Sequence, residues 1–174
     1  MIPDNYMYEN SCSSDDAQNE LYNEMFGKNK TKLMDLCCRD KISIDKINIL
    51  RDDIGKSDSF KTTALMYYCL YSGESVDIIN ALSDEISMQD IEGYTALMNL
   101  MNEEHDHINI DCVNALSNEI GMKNVFNESA LDLFCNNIYK KIDRDLANQI
   151  VYILRSEYKP THYYNRIDIE SIID

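Results

Sequence analysis

The sequence predicts an all-α chain built from about four stacked helix pairs. Three observations carry that prediction: a short signature recurs at near-constant spacing, apolar residues after it follow helical offsets, and turn-forming segments separate the copies. Thr31-Lys32-Leu33-Met34, Thr63-Ala64-Leu65-Met66, Thr95-Ala96-Leu97-Met98 and Ser129-Ala130-Leu131-Asp132 begin 32, 32 and 34 residues apart. A period of this size fits stacked helical repeats better than a closed globular core.

Each signature opens the first helix of a pair. Leu33, Leu36 and Cys37 recur as Leu65, Tyr68 and Cys69, then as Leu97, Leu100 and Met101, and last as Leu131, Phe134 and Cys135. Offsets of three and four residues place these side chains on one helical face. Ala64, Ala96 and Ala130 allow a neighbouring helix to approach closely, and Thr95 offers a hydroxyl cap to its helix, as do Thr63 and Ser129. The second helix carries Ile44, Ile47, Leu50 and Ile54 in the first unit. Val76, Ile79, Leu82 and Ile86 follow in the second unit, and Ile110, Val113, Leu116 and Ile120 in the third. These offsets lie near whole helical turns and predict one apolar stripe per helix. Leu146, Ile150, Ile153 and Leu154 read as the last helix, with Pro160 as its boundary.

Between the pairs, Asp90-Ile91-Glu92-Gly93-Tyr94 and Asp58-Ser59-Phe60-Lys61-Thr62 read as turns. Gly93 accepts a positive φ, whereas Lys61 and Asn127 stand at its position in the adjacent copies. Asn tolerates that conformation better than Lys, so the turn at Lys61 is expected to be the most strained or altered.

The organisation reads as an acidic, flexible N-terminal segment over 1–18, a repeat domain with its N-terminal cap over 19–158, and a C-terminal cap or tail over 159–174. Leu21, Tyr22, Met25 and Phe26 would form the amphipathic cap. No secretory signal or membrane anchor is evident, and no apolar run approaches the roughly 20 residues of a spanning helix. An intracellular, cytoplasmic protein is therefore expected. Of the six cysteines, Cys37, Cys69 and Cys135 occupy a slot that Met101 fills in the other copy. A slot that takes Cys or Met is an apolar packing position, so free buried thiols are expected rather than disulfides or metal ligands.

Asp90, Gly93, Thr95 and Leu97, with Asp58, Thr63 and Leu65 before them and Asn124, Ser129, Ala130 and Leu131 after, make this pattern resemble the ankyrin repeat. The usual signature of that family is Asp-x-x-Gly-x-Thr-Pro-Leu-His, and here Ala96 and Met98 replace its Pro and His. The resemblance covers roughly residues 28–157 and implies an ankyrin-like helical-repeat solenoid with about four divergent repeats. Ser83-Asp84-Glu85-Ile86-Ser87 and Ser117-Asn118-Glu119-Ile120-Gly121 depart from the family's usual Leu-Leu ending and Gly-Ala-Asp turn, which leaves the geometry of that loop open. The wealth of Ile, Asn, Asp and Tyr is similar to that of divergent poxvirus ankyrin proteins, which bind host signalling or ubiquitin-ligase components inside the infected cell. That resemblance implies a small binder or decoy, the tail from Lys159 to Asp174 being short for a complete ligase-recruiting module.

The charge distribution narrows the partner. The formal net charge is −15, and no Lys or Arg occurs from Thr62 through Met122 while eleven carboxylates do. Such a field disfavours nucleic acid and steers a basic protein surface. On the family resemblance, turn tips and first-helix surfaces form the concave binding face. The expected protein-binding residues are accordingly Asp58, Asp90, Glu92 and Tyr94 at the tips and Tyr67 and Asn99 facing the concavity. Core packing is the competing reading for Tyr67, and a merely solvated face is the competing reading for the acidic field.

No enzyme is expected, and no cofactor. His105-Asp106-His107 lacks the helical spacing of an H-E-x-x-H metal site, and Ser72-Gly73-Glu74 offers no base or orienting group. The alternatives are a structural or self-associating module, with Arg166 to Asp174 as a candidate contact between copies, and, less favoured, an enzyme with an unfamiliar site.

Overall fold

A computed structural model describes residues 28–38, 42–102, 108–137 and 142–155. Every regular element among them is helical. Four first helices, α1 (Lys32–Cys37), α3 (Ala64–Tyr71), α5 (Ala96–Asn102) and α7 (Ala130–Asn137), alternate with four second helices, α2 (Ile44–Ile49), α4 (Val76–Ala81), α6 (Ile110–Ala115) and α8 (Arg144–Leu154). Each first helix packs on the next first helix and each second helix on the next second helix, which produces two parallel rows of four. Helices of six to eleven residues are too short to persist alone. Packing between successive pairs therefore supplies the stability.

The four signatures start helices as their chemistry requires. Thr31, Thr63 and Thr95 hydroxyls accept the Met34, Met66 and Met98 backbone N–H groups at 3.2, 3.3 and 3.2 Å. In the divergent fourth copy, Asp132 replaces the methionine and closes a reciprocal cap: the Ser129 hydroxyl accepts the Asp132 N–H at 3.3 Å and the Asp132 carboxylate accepts the Ser129 N–H at 2.8 Å. Leu33, Leu65 and Leu97, and the Cys37, Cys69 and Met101 slot, are completely buried.

The fourth copy departs from this: Leu131 is half-buried and Cys135 is exposed. Among the described residues no first-row helix follows α7, so its outer side lacks the neighbour that covers α3 and α5. No disulfide joins any two of the described cysteines; Cys37, Cys69 and Cys112 are buried and Cys38 is half-buried.

The second helices are shorter than a continuous stripe implies. Each of α2, α4 and α6 ends before Leu50, Leu82 or Leu116, and a 3₁₀ turn follows at Arg51–Asp53, Ser83–Glu85 and Ser117–Glu119. Ile54, Ile86 and Ile120 are then extended rather than helical. Gly55, Ser87 and Gly121 come next, all with φ between 71° and 82°. The loops that depart from the ankyrin pattern thus share one conformation.

The turns between pairs are likewise uniform. Asn29, Lys61, Gly93 and Asn127 have φ values of 68°, 61°, 81° and 64°. The turn at Lys61 is therefore not altered, contrary to one arm of the expectation; the lysine itself takes the left-handed conformation. At Gly93 a side chain would crowd the next turn, because a Cβ would lie 3.0 Å from the Asn124 Cα.

The expected N-terminal segment and cap, the His105-Asp106-His107 insertion and the tail beyond Pro160 lie outside the described residues.

Candidate protein-binding surface

The turns form a ladder along one edge of the stack. Within the second, third and fourth turns a single side-chain oxygen gathers two backbone N–H groups. Asp58 Oδ1 accepts from Phe60 and Thr62, both at 2.9 Å. Asp90 Oδ1 accepts from Glu92 at 2.9 Å and Tyr94 at 2.8 Å, and Asn124 Oδ1 from Phe126 at 3.0 Å and Glu128 at 2.9 Å. Because one oxygen suffices, Asn124 replaces aspartate without loss of the turn. Successive turns then bond to one another: the Ser59 N–H donates to the Lys28 carbonyl at 2.8 Å, Ile91 to Phe60 at 2.9 Å, and Val125 to Glu92 at 2.9 Å.

That ladder projects apolar side chains into solvent. Phe60, Ile91, Val125 and Phe126 are 39%, 53%, 66% and 64% exposed. Bonded turn to turn, they form a row beside the exposed Glu92. Sequence reasoning missed this row, although a signal was available: a large apolar residue inside a two-residue turn tip falls outside every helical stripe.

The six residues expected at the site divide into two groups. Glu92 is exposed, and Asp90 and Tyr94 are half-buried at the same turn. Burial raises the Asp90 carboxyl above its ordinary value, with its backbone hydrogen bonds opposing the shift. Tyr94 is raised for the same leading cause, and Glu128 adds to it.

Asp58, Tyr67 and Asn99 are instead buried, at 6%, 5% and 8% exposure, which corrects their assignment as contact residues. The Tyr67 hydroxyl donates to Asp58 Oδ2 at 2.7 Å, and its ring lies under the Lys30 ammonium at 4.1 Å and stacks on Tyr71. Burial and the Asp58 carboxylate both push the Tyr67 phenol well above its ordinary range. Residues 64–69 of α3 and 96–101 of α5 are buried on every side, so these stretches present no open helical face. Core packing is the reading of Tyr67 that matches.

The acidic field is also redistributed. Glu74, Asp77, Asp84 and Asp111 are exposed, and they lie on the second-helix row and its connections. Glu85 and Glu119 are interior, each 1% exposed. Glu85 accepts the Leu65 N–H at 2.6 Å and the Gly55 N–H at 2.8 Å; Glu119 accepts those of Leu97 and Ser87 at the same distances. Each carboxyl thus ties the start of its own unit's first helix to the exit loop of the preceding unit. Burial raises both above the ordinary value of 4.5, opposed by these hydrogen bonds and by the Thr63 or Thr95 hydroxyl. The regular recurrence of a Glu three residues after Leu82 or Leu116 was visible, but a glutamate ordinarily reads as surface.

An open groove of about 460 Å³ between α6 and α8 is lined by Ile110, Asn114, Asn148, Gln149, Tyr152 and Ile153, which bring together no acid–base pair. Among the described residues no group of three or more His, Cys, Asp or Glu is placed to hold a metal ion, and no helix is long and apolar enough to cross a membrane.

The architecture defines an all-α protein of stacked helix pairs with a ladder of turns along one edge. No known family model and no curated protein matches the chain.

Proposed function

We propose that this chain is an ankyrin-type repeat protein that binds a protein partner and carries no catalytic chemistry. The observation that carries the reading is the row of Phe60, Ile91, Val125 and Phe126 exposed on hydrogen-bonded turns. Large apolar side chains held on a pre-ordered backbone supply contact area at little entropic cost, the property a recognition surface needs. The exposed Glu92 beside the row favours a partner with a basic surface. The narrower role, an intracellular modulator or decoy of host signalling or ubiquitin-pathway proteins, rests on the resemblance to short poxvirus ankyrin proteins.

Affinity capture from cell extract tests the reading with three full-length baits. The wild type and a Tyr152→Ala variant on the opposite row should retain the same partner, whereas Ile91→Asp with Phe126→Asp should lose it while keeping its helical circular dichroism. Retention by the turn variant would refute the proposed surface. Binding that weakens as salt rises would support the basic partner, and binding indifferent to salt would remove it.

A further inference from the structure

The geometry points to Lys30 and Cys38 as a peroxide-responsive modification site, in which oxidation of the thiol closes a covalent nitrogen–sulfur bond between the two side chains. The Lys30 Nζ lies 3.0 Å from the Cys38 Sγ, although the residues belong to different segments, the turn before α1 and the residue that ends it. The position of the amine is set from several sides. Its side chain is only 4% exposed, the Tyr67 ring lies 4.1 Å away, and the Asp35 carboxylate is at 3.7 Å. The sulfur is held as well: the Cys38 thiol donates to the Met34 carbonyl at 3.2 Å.

The two atoms are therefore already at the distance of a reacting pair, with little motion left to lose on bonding. Cys38 is half-buried, which leaves part of the residue open to a molecule as small as hydrogen peroxide. Cys37, by contrast, is completely buried, and burial drives its thiol far above its ordinary range.

Thiolates rather than thiols attack peroxides, and a neighbouring ammonium favours the thiolate. The sulfur attacks one peroxide oxygen and the oxygen–oxygen bond breaks. Cys38 becomes a sulfenic acid, oxidised by two electrons, and the leaving hydroxide takes a proton to become water. The Lys30 amine, having released its proton to solvent, then attacks the sulfur. An N–S bond forms, the S–O bond breaks, and the hydroxyl departs as a second water. Both peroxide oxygens end as water and the protein loses two hydrogens. The product ties the turn at 28–30 to the end of α1 and removes the lysine charge from Tyr67 and Asp35. A thiol reductant reverses it.

The full chain treated with hydrogen peroxide, blocked at its remaining thiols and digested provides the test. Cys38 should be consumed about tenfold faster than Cys135, although Cys135 is the more exposed of the two. Tryptic peptides 29–32 and 33–39 should stay joined at a mass about 2 Da below their sum, uncleaved after Lys30, and separate with reductant. Lys30→Arg, with unchanged circular dichroism, should end at the sulfenic acid, heavier by about 16 Da, and Lys30→Met should slow the first step as well. Cys38 consumed no faster than Cys135 would overturn the proposal. So would a 2-Da loss that persists in Lys30→Arg, which would be a disulfide, or a wild-type product that stops at the sulfenic acid.

Discussion

Replacing Glu119 with glutamine tests whether buried carboxyls hold successive units together. In the folded protein one carboxyl oxygen accepts the Ser87 N–H at 2.8 Å and the other the Leu97 N–H at 2.6 Å. Glutamine matches the shape but offers one acceptor oxygen, and its amide nitrogen then meets an N–H group, donor against donor. The change forfeits one charge-assisted hydrogen bond, about 1.5–3 kcal/mol, and strands a buried donor at about 1–3 kcal/mol. Relief of a desolvated charge returns part of this. The expected net loss is about 2–4 kcal/mol. In urea unfolding, that loss lowers the midpoint by about 1–2 M at an unchanged slope. Glu74→Gln, on an exposed loop, should stay within about 0.5 kcal/mol of the wild type and serves as the control. A loss below about 0.5 kcal/mol in Glu119→Gln would refute the reasoning, because the two bonds would then contribute no more than solvent does.

Three further outcomes follow from the same structure. Lys61 adopts φ 61° in an exposed turn, so Lys61→Gly should stabilise by about 1 kcal/mol in chemical denaturation, whereas Gly93→Ala should destabilise by more than that, since its Cβ meets the Asn124 backbone as well. Leu97→Ala, at a completely buried site in the middle of the stack, should cost about 2–5 kcal/mol; a cost below about 1 kcal/mol would place the residue elsewhere. The Glu85 and Glu119 carboxyls are raised in the folded chain, so the native state binds more protons than the unfolded one between 4.5 and their raised values. Their contribution is fullest below 4.5 and fades as pH rises through the raised values. Thermal melts should thus show stability growing as the solution is acidified from neutrality into that window, and less so in Glu119→Gln.

Features that depend on local chemistry were legible in the chain. Thr63 and Thr95 cap helices because a hydroxyl just before an apolar run has few better uses, and Leu65 and Leu97 are buried because their spacing leaves one helical face. Features that depend on distant partners were not. Tyr67 looked suited to a contact surface until its hydroxyl found Asp58 and its ring found Lys30. Glu85 meets Gly55 across 30 residues, and Glu119 meets Ser87 across 32, pairings invisible in either neighbourhood alone. The exposed row depends on the same long reach, since the bonds between turns and the packing of successive pairs bring Phe60, Ile91 and Val125 into line.

The direction of the glutamate ties bears on how the chain is made. Glu119 satisfies the exit loop of the unit before it, as Glu85 does for the first unit, so the first and second units are each secured by a residue synthesised about one repeat later. A growing chain released from the ribosome as far as Leu116 already holds most of the second unit's apolar side chains, yet its Ser87 amide has no carboxyl to meet. Closure of these two units therefore advances in steps, each waiting on its successor, and a chain cut short before Glu119 leaves its second unit unlatched.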